Sequence, residues 1–247
     1  MGRRQKRLRK KYASALKSFG EFLEKYPYLG MRHKLGKEIF NSISNFSKVT
    51  IENELWWRAR KADGAKRFTH KDLMPPKHSN KEGRFNHFGQ SCFYLASTKE
   101  AAQIEALEKR EHLSWIQQFK ILKINSILDL SRIGCSSDDA PKLSWFLNIK
   151  FRTATQSRSN IWKPQYFIPR FVADCARAQD FSGILFEGTR HKERNLVLFD
   201  WVEKIKPVGK PKVVQFRKKR KRRTTGVLDL NSIDLDFFDT IDFGSAT

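Results

Sequence analysis

The chain has 247 residues, enough for one large domain with tails, and 39% of them are hydrophobic, with 20 phenylalanines, enough for a sizeable core. The formal net charge is +23, from 49 Lys and Arg against 26 Asp and Glu. Charge of that size speaks to partners and not to fold: nucleic acid, an anionic surface or phosphate-bearing ligands.

Several classes are disfavoured at once. Cys92, Cys135 and Cys175 are odd in number, widely spaced and form no CxxC, which favours a reducing cytoplasm over a disulfide scaffold. The opening "MGRRQKRLRKKYASALKSFG" has no apolar h-region of a secretory signal. No run approaches the roughly 18 apolar residues of a membrane span. The six histidines show neither HExxH nor ligand spacing with the cysteines, so no metal is expected.

Along the chain, residues 1–50 read as a basic, helical extension. Leu16, Phe19, Leu23 and Tyr26 step at helical spacing, as do Ile39, Ile43 and Phe46, with "YPYLG" between them, and both stripes read as core faces. From Leu55 the period changes to two. In "ELWWRARKA", Trp56, Arg58 and Arg60 share one face, and Leu55, Trp57 and Ala59 the other. "SCFYLAS" is a second strand. Ser97 and Glu100 then form a capping box for a helix running to about Trp115. "FKILKINSILDL" reads as a strand, "IPRFVADCARAQDF" as a helix, and "SGILFE" and "NLVLFDWVEKI" as strands. Mixed strands and helices without regular βαβ alternation predict an α+β domain over 51–206, with a mixed sheet and flanking helices. "KPVGKPK" marks 207–223 as a basic linker ending in "RKKRKRR", Arg217–Arg223. Residues 224–247 form an acidic tail with Asp229, Asp234, Asp236, Asp239 and Asp242 and apolar residues between them, expected to be disordered alone and to dock on a partner or a basic surface.

Within the domain, four side chains invite a common site. Arg58 lies on a strand, Arg84 in a turn-like "GRFN", Tyr94 on the next strand, and Glu105 on the helix after it. Arginine forks match phosphate oxygens. A tyrosine ring stacks on a planar base. A carboxylate opposes the positive charge that develops on ribose as a glycosidic bond breaks. The same residues also read as a turn residue, a core aromatic and half of an ion pair.

The segments "LWWRAR", "GRFNHFGQSCFYLASTKEAAQIEAL", "YFIPRFVADCARAQDFSGILFEG" and "NLVLFD" together resemble the RES domain family, over roughly Leu55 to Trp201. The second block is the specific one: Gly83, Arg84, Asn86, Gly89, Tyr94, Ala96 and Glu105 all fall in register. Tyr166, Ala173 and Asp174 follow the family's helix block, and Gly183, Ile184, Asn195, Leu198 and Phe199 follow its last two strands. The resemblance implies a fold similar to ADP-ribosyltransferases and an activity that splits the nicotinamide–ribose bond of NAD by hydrolysis or phosphorolysis. It also implies a toxin or effector with a cognate antitoxin or immunity protein. Arg58, Arg84, Tyr94 and Asn86 would bind NAD, inorganic phosphate would be a co-substrate, and Glu105 and Arg58 would serve catalysis. Where the family carries its serine, this chain has Gly188 and Thr189, so Thr189 is the expected source of the hydroxyl. Pro169 and Arg170 replace the family's Thr-Gln. Two other readings stand beside this one: a nucleic-acid-binding protein, acting through its basic clusters, whose RES-like core is inactive, and a mono-ADP-ribosyltransferase.

Overall fold

A computed structural model describes residues 3–46, 48–107, 112–131 and 163–216, with side chains from residue 13 onward. The elements in chain order are α1 (Arg3–Lys25), a 3-10 turn (Gly30–Arg32), α2 (Lys34–Ile43), β1 (Lys48–Lys61), the single-turn α3 (His70–Leu73) and β2 (Phe93–Ala96). There follow α4 (Lys99–Ala106), β3 (Leu113–Asp129), a 3-10 turn (Pro164–Tyr166), α5 (Phe167–Arg177), β4 (Gly183–Glu187), β5 (Arg194–Leu198) and β6 (Ile205–Gln215).

The expected α+β architecture is present: a mixed sheet with flanking helices. Its strand order is β1-β2-β5-β4-β3-β6, and β1 also pairs with β3, so five strands close on themselves and β6 extends from β3. β3–β4 is the one parallel pairing among the described strands, from Ile127↔Gly183 to Asp129↔Leu185. An extra residue in β3 opposite Val49–Ile51 bends the strand there, with Ser126 at φ 60°. β1 and β2 share a single register pair, Trp57↔Ala96, so the sheet parts beside it.

The apolar runs of β4 and β5 are continuous because both faces are covered. Leu185, Leu196 and Leu198 point into the barrel with Trp56, Phe93, Phe119 and Ile121. Ile184, Phe186 and Val197 point outward to a layer built from Phe19, Leu23, Ile39, Ile43, Phe171 and Val172. Phe19 meets Phe171 edge-on at 5.1 Å between centroids. Full burial of such a phenylalanine stabilises by about 1.5–3 kcal/mol. Leu16, Phe19 and Leu23 of α1 and Ile39 and Ile43 of α2 are therefore core positions against α5, whereas Tyr26, expected to continue the first stripe, lies just past α1 and is exposed. The two helices belong to the same compact unit, residues 1–216, as the sheet that follows them. The basic run Arg217–Arg223 and the acidic tail lie outside the described residues.

Four local readings of the sequence are corrected. β1 begins at Lys48, not Leu55. Thr98, not Ser97, caps α4, its side chain accepting from Ala101 N at 3.2 Å. Ser97 N–H is still bound to Arg194 O, continuing the β2–β5 ladder, so the helix cannot start before Thr98. α4 ends at Ala106 instead of near Trp115, because Ser114 and Trp115 are drawn into β3, where they pair with both β1 and β6. "NLVLFDWVEKI" is not one strand: β5 ends at Leu198 and β6 starts at Ile205.

β6 also replaces the first part of the expected linker. Its two prolines are tolerated because, among the described strands, β6 pairs with β3 alone and lies at the edge of the sheet. Between Ile116↔Lys212 and Gln118↔Val208 the register shifts, and Gly209 at φ 64° takes up the slack. Buried Gln117 fills this bulge, donating to Val208 O at 2.6 Å and Gly209 O at 3.2 Å.

Candidate active site

The parting of β1 from β2 forms a cleft of about 250 Å³. Arg58, Arg84, Tyr94 and Glu105 all line it, together with Trp57, Tyr166 and Asn195. The four side chains singled out from sequence thus converge. Asn86 and Thr189 are not in its wall.

Tyr94 shows why the "GRFN" turn is built as it is. Its hydroxyl accepts from Phe85 N–H at 3.0 Å and donates to Asn86 Oδ1 at 2.9 Å. Burial pushes the phenol well above its ordinary pKa. Its hydroxyl is committed to the turn, and its ring is what the cleft receives. Asn86 is buried and shares its amide hydrogens among the carbonyls of Lys81, His87 and Gln90. With both polar atoms of its side chain engaged inside the loop, Asn86 braces Tyr94. A Cβ on Gly83 would stand 2.6 Å from the Tyr94 hydroxyl oxygen, so that position requires glycine.

Arg84 is held at the far side of the same turn. Its Nη2 donates to Thr189 Oγ1 at 3.2 Å, and its guanidinium lies 5.8 Å from the Tyr166 ring centroid. Thr189 therefore orients an arginine instead of presenting its hydroxyl in the cleft. Arg170, which replaces the family's glutamine, is also structural. It is 2% exposed, pairs with Glu82 at 2.7 Å and donates through Nε to Gly83 O at 3.0 Å. It pins the turn that carries Arg84.

Arg58 carries an unmet requirement, as do Asn195, through Oδ1, and Arg170, through Nη2. Arg58 Nη1 is buried and has no hydrogen-bond partner, and the guanidinium lies 5.0 Å from the centroid of Phe93. Burial, with the neighbouring Arg60 charge, pulls its pKa down to about 10, so it is still a cation at neutral pH. A buried cation donor without an acceptor is costly, and the same side chain lines the cleft.

Glu105 Oε1 is gripped from two sides. Asn195 Nδ2 donates to it at 3.1 Å, and His191 Nε2 lies 3.0 Å away. The contact is close but is not a well-directed hydrogen bond. Both contacts fall on one oxygen, and the side chain is 36% exposed, which leaves Oε2 open to the cleft. Burial alone would raise the Glu105 pKa. His191, the Arg84 charge and the Asn195 amide outweigh it and hold the carboxyl below its ordinary value. His191 was not anticipated as a site residue. It lies 86 positions from Glu105, and the one sequence signal was the glycine of "EGTRH", against which its ring packs.

Among the described residues no three His, Cys, Asp or Glu side chains are grouped closely enough to hold a metal, and no helix is long and apolar enough to cross a membrane. An ionised carboxylate beside arginines in a partly apolar cleft is an arrangement that can receive an anionic ligand and oppose positive charge. The chain belongs to the RES domain family, whose match spans residues 55–214. Among solved structures it is similar to one described as the M. tuberculosis MbcT–MbcA toxin–antitoxin complex. The identity is 15%, the TM-score 0.41, and the alignment covers 72% of this chain and 91% of that one. No curated protein matches the chain by sequence.

Proposed function

We propose that this protein destroys NAD by breaking its nicotinamide–ribose bond. The observation that carries the reading is the pairing, in one cleft, of an ionised Glu105 with a free Oε2 and a buried Arg58 whose Nη1 has no partner. Membership of the RES family supplies the substrate class that its resemblance implies. The NAD pyrophosphate satisfies Arg58 and Arg84, and the Tyr94 and Tyr166 rings give flat faces to the nicotinamide and its ribose. As the C–N bond breaks, its electron pair leaves with nicotinamide and the ribosyl carbon becomes cationic. Glu105 opposes that charge. Water then adds with loss of a proton to give ADP-ribose, or phosphate adds to give the ADP-ribose phosphoester. Arg84 and Arg58 also favour a phosphate co-substrate. An enzyme that empties the NAD pool needs restraint, so a cognate antitoxin or immunity protein belongs to this reading. Incubating the protein with NAD, with and without phosphate, and weighing the products tests it. Release of nicotinamide with ADP-ribose or its phosphate supports the proposal; unchanged NAD under both conditions overturns it.

A further inference from the structure

The space beside Gly188 is filled from elsewhere in the chain. A Cβ built on Gly188 would fall into the imidazole of His191, 2.6 Å from both ring nitrogens. The ring can lie there because residue 188 has no side chain. It is 7% exposed and lies against Glu105. Its tautomer is also set. The N–H of Glu193 donates to His191 Nδ1 at 3.2 Å, so Nδ1 must be unprotonated, and the single proton of the neutral ring sits on Nε2, the nitrogen facing Glu105 Oε1.

We propose that His191 is a positioning residue for Glu105: its imidazole takes the place of a side chain at position 188 and sets Nε2 3.0 Å from the carboxylate, against Oε1. This rests on the NAD-cleaving reading above. It also explains how the chain manages without a serine at Gly188–Thr189, since the Thr189 hydroxyl is turned to Arg84. His191 and Asn195 together fix Oε1, which aims Oε2 into the cleft and keeps the carboxylate ionised while it is partly withdrawn from water. The other charged or titratable groups around Glu105 are Arg58 on β1, Tyr94 on β2, Arg84 in the turn before β2, Tyr166 before α5, and Arg190, whose Nη2 donates to Leu107 O at the end of α4.

The test combines kinetics with a readout that does not depend on turnover. His191→Phe keeps a ring of similar size on Gly188 and removes the proton. It should lower kcat for NAD at least tenfold, leave KM within about twofold, and move the acid limb of the kcat–pH profile upward. His191→Gln retains an N–H donor and should recover most of the loss. The double variant Gly188→Ser with His191→Ala should recover part of it by restoring a hydroxyl at the vacated place. In parallel, nitrogen NMR of the His191 ring in the full chain should show the Nε2–H tautomer, and the Nε2 chemical shift should move in Glu105→Gln. Wild-type kcat and an unmoved acid limb in His191→Phe would overturn the proposal. So would a His191 Nε2 chemical shift identical in the wild type and Glu105→Gln. If the wild type consumes no NAD, the NMR comparison alone decides the pairing, and only the substrate reading is lost.

Discussion

Asn195 Nδ2 lies 3.1 Å from Glu105 Oε1, and the direction of that hydrogen bond is chemically forced. A carboxylate only accepts, so the amide nitrogen must face it, and the Asn195 oxygen is left buried without a partner on the other side. One side chain thereby steadies the carboxylate and holds an unused acceptor in the wall of the same cleft.

Asn195→Asp should expose this arrangement. It replaces the donor with a second carboxylate, which disfavours ionisation of Glu105. Because the folded pKa of Glu105 lies below its ordinary value, its contribution to stability is present above the unfolded pKa and is lost as pH falls through the folded one. In Asn195→Asp that depression should vanish. The acid limb of kcat should move up, and kcat near neutrality should fall by roughly tenfold or more. A pH profile superimposable on the wild type would show that Asn195 does not act on Glu105.

Arg58 should trade stability for binding. Its buried Nη1 has no partner, while its guanidinium packs over Phe93. Arg58→Met keeps the packing and removes the unsatisfied donor, and should raise stability by about 1–3 kcal/mol. NAD affinity should weaken at least tenfold in the same variant. Denaturant titration and calorimetry of NAD binding measure the two effects, and a variant that is both less stable and equally avid would contradict this account of Arg58.

Arg170 should behave oppositely. It is buried, and removing it strands Glu82, which is partly exposed, and the Gly83 carbonyl. Arg170→Ala should destabilise the fold by about 2–3 kcal/mol, less than for a fully buried pair. The same change should raise KM through Arg84, with little effect on kcat. Thermal unfolding and steady-state kinetics separate these outcomes.

Cys92 offers a check on the packing behind the site. Burial raises its thiol to about 11, although Arg177 Nη2 lies 3.1 Å from the sulfur. A raised folded pKa means that the neutral thiol's contribution to stability is full below the unfolded value and is lost as pH rises toward 11. Iodoacetamide at pH 8 should therefore modify Cys92 far more slowly in the folded protein than after unfolding. Equal rates would show that the 85–92 loop does not close over the thiol.

The legible parts of this molecule are the local ones. Gly83, Arg84, Tyr94 and Glu105 sit on a turn, a strand and a helix that follow one another directly, so their order in the chain nearly reports their order in space. The period-two stretch at Trp56–Arg60 and the helical stripes of α1 and α2 were readable for the same reason. His191 and the role of Asn195 were not, since both reach Glu105 across 86 and 90 residues through strand pairing that no local pattern encodes. β6 was hidden by Pro207, Gly209 and Pro211, residues that signal a break in isolation. The edge position and the Gln117-filled bulge make them acceptable, and neither is visible without β3. Thr189 carries the hydroxyl the sequence suggested, but the backbone turns it toward Arg84.

The central claim is that Glu105 opposes charge developing on the ribose. Glu105→Gln keeps the size of the side chain and removes its charge. The direct measurement is single-turnover cleavage of NAD by this variant beside NAD binding by calorimetry. Arg58 and Arg84 remain, so binding should change by no more than a few-fold, while cleavage should slow by roughly a hundredfold or more. Cleavage at the wild-type rate with NAD bound would contradict the assignment of Glu105.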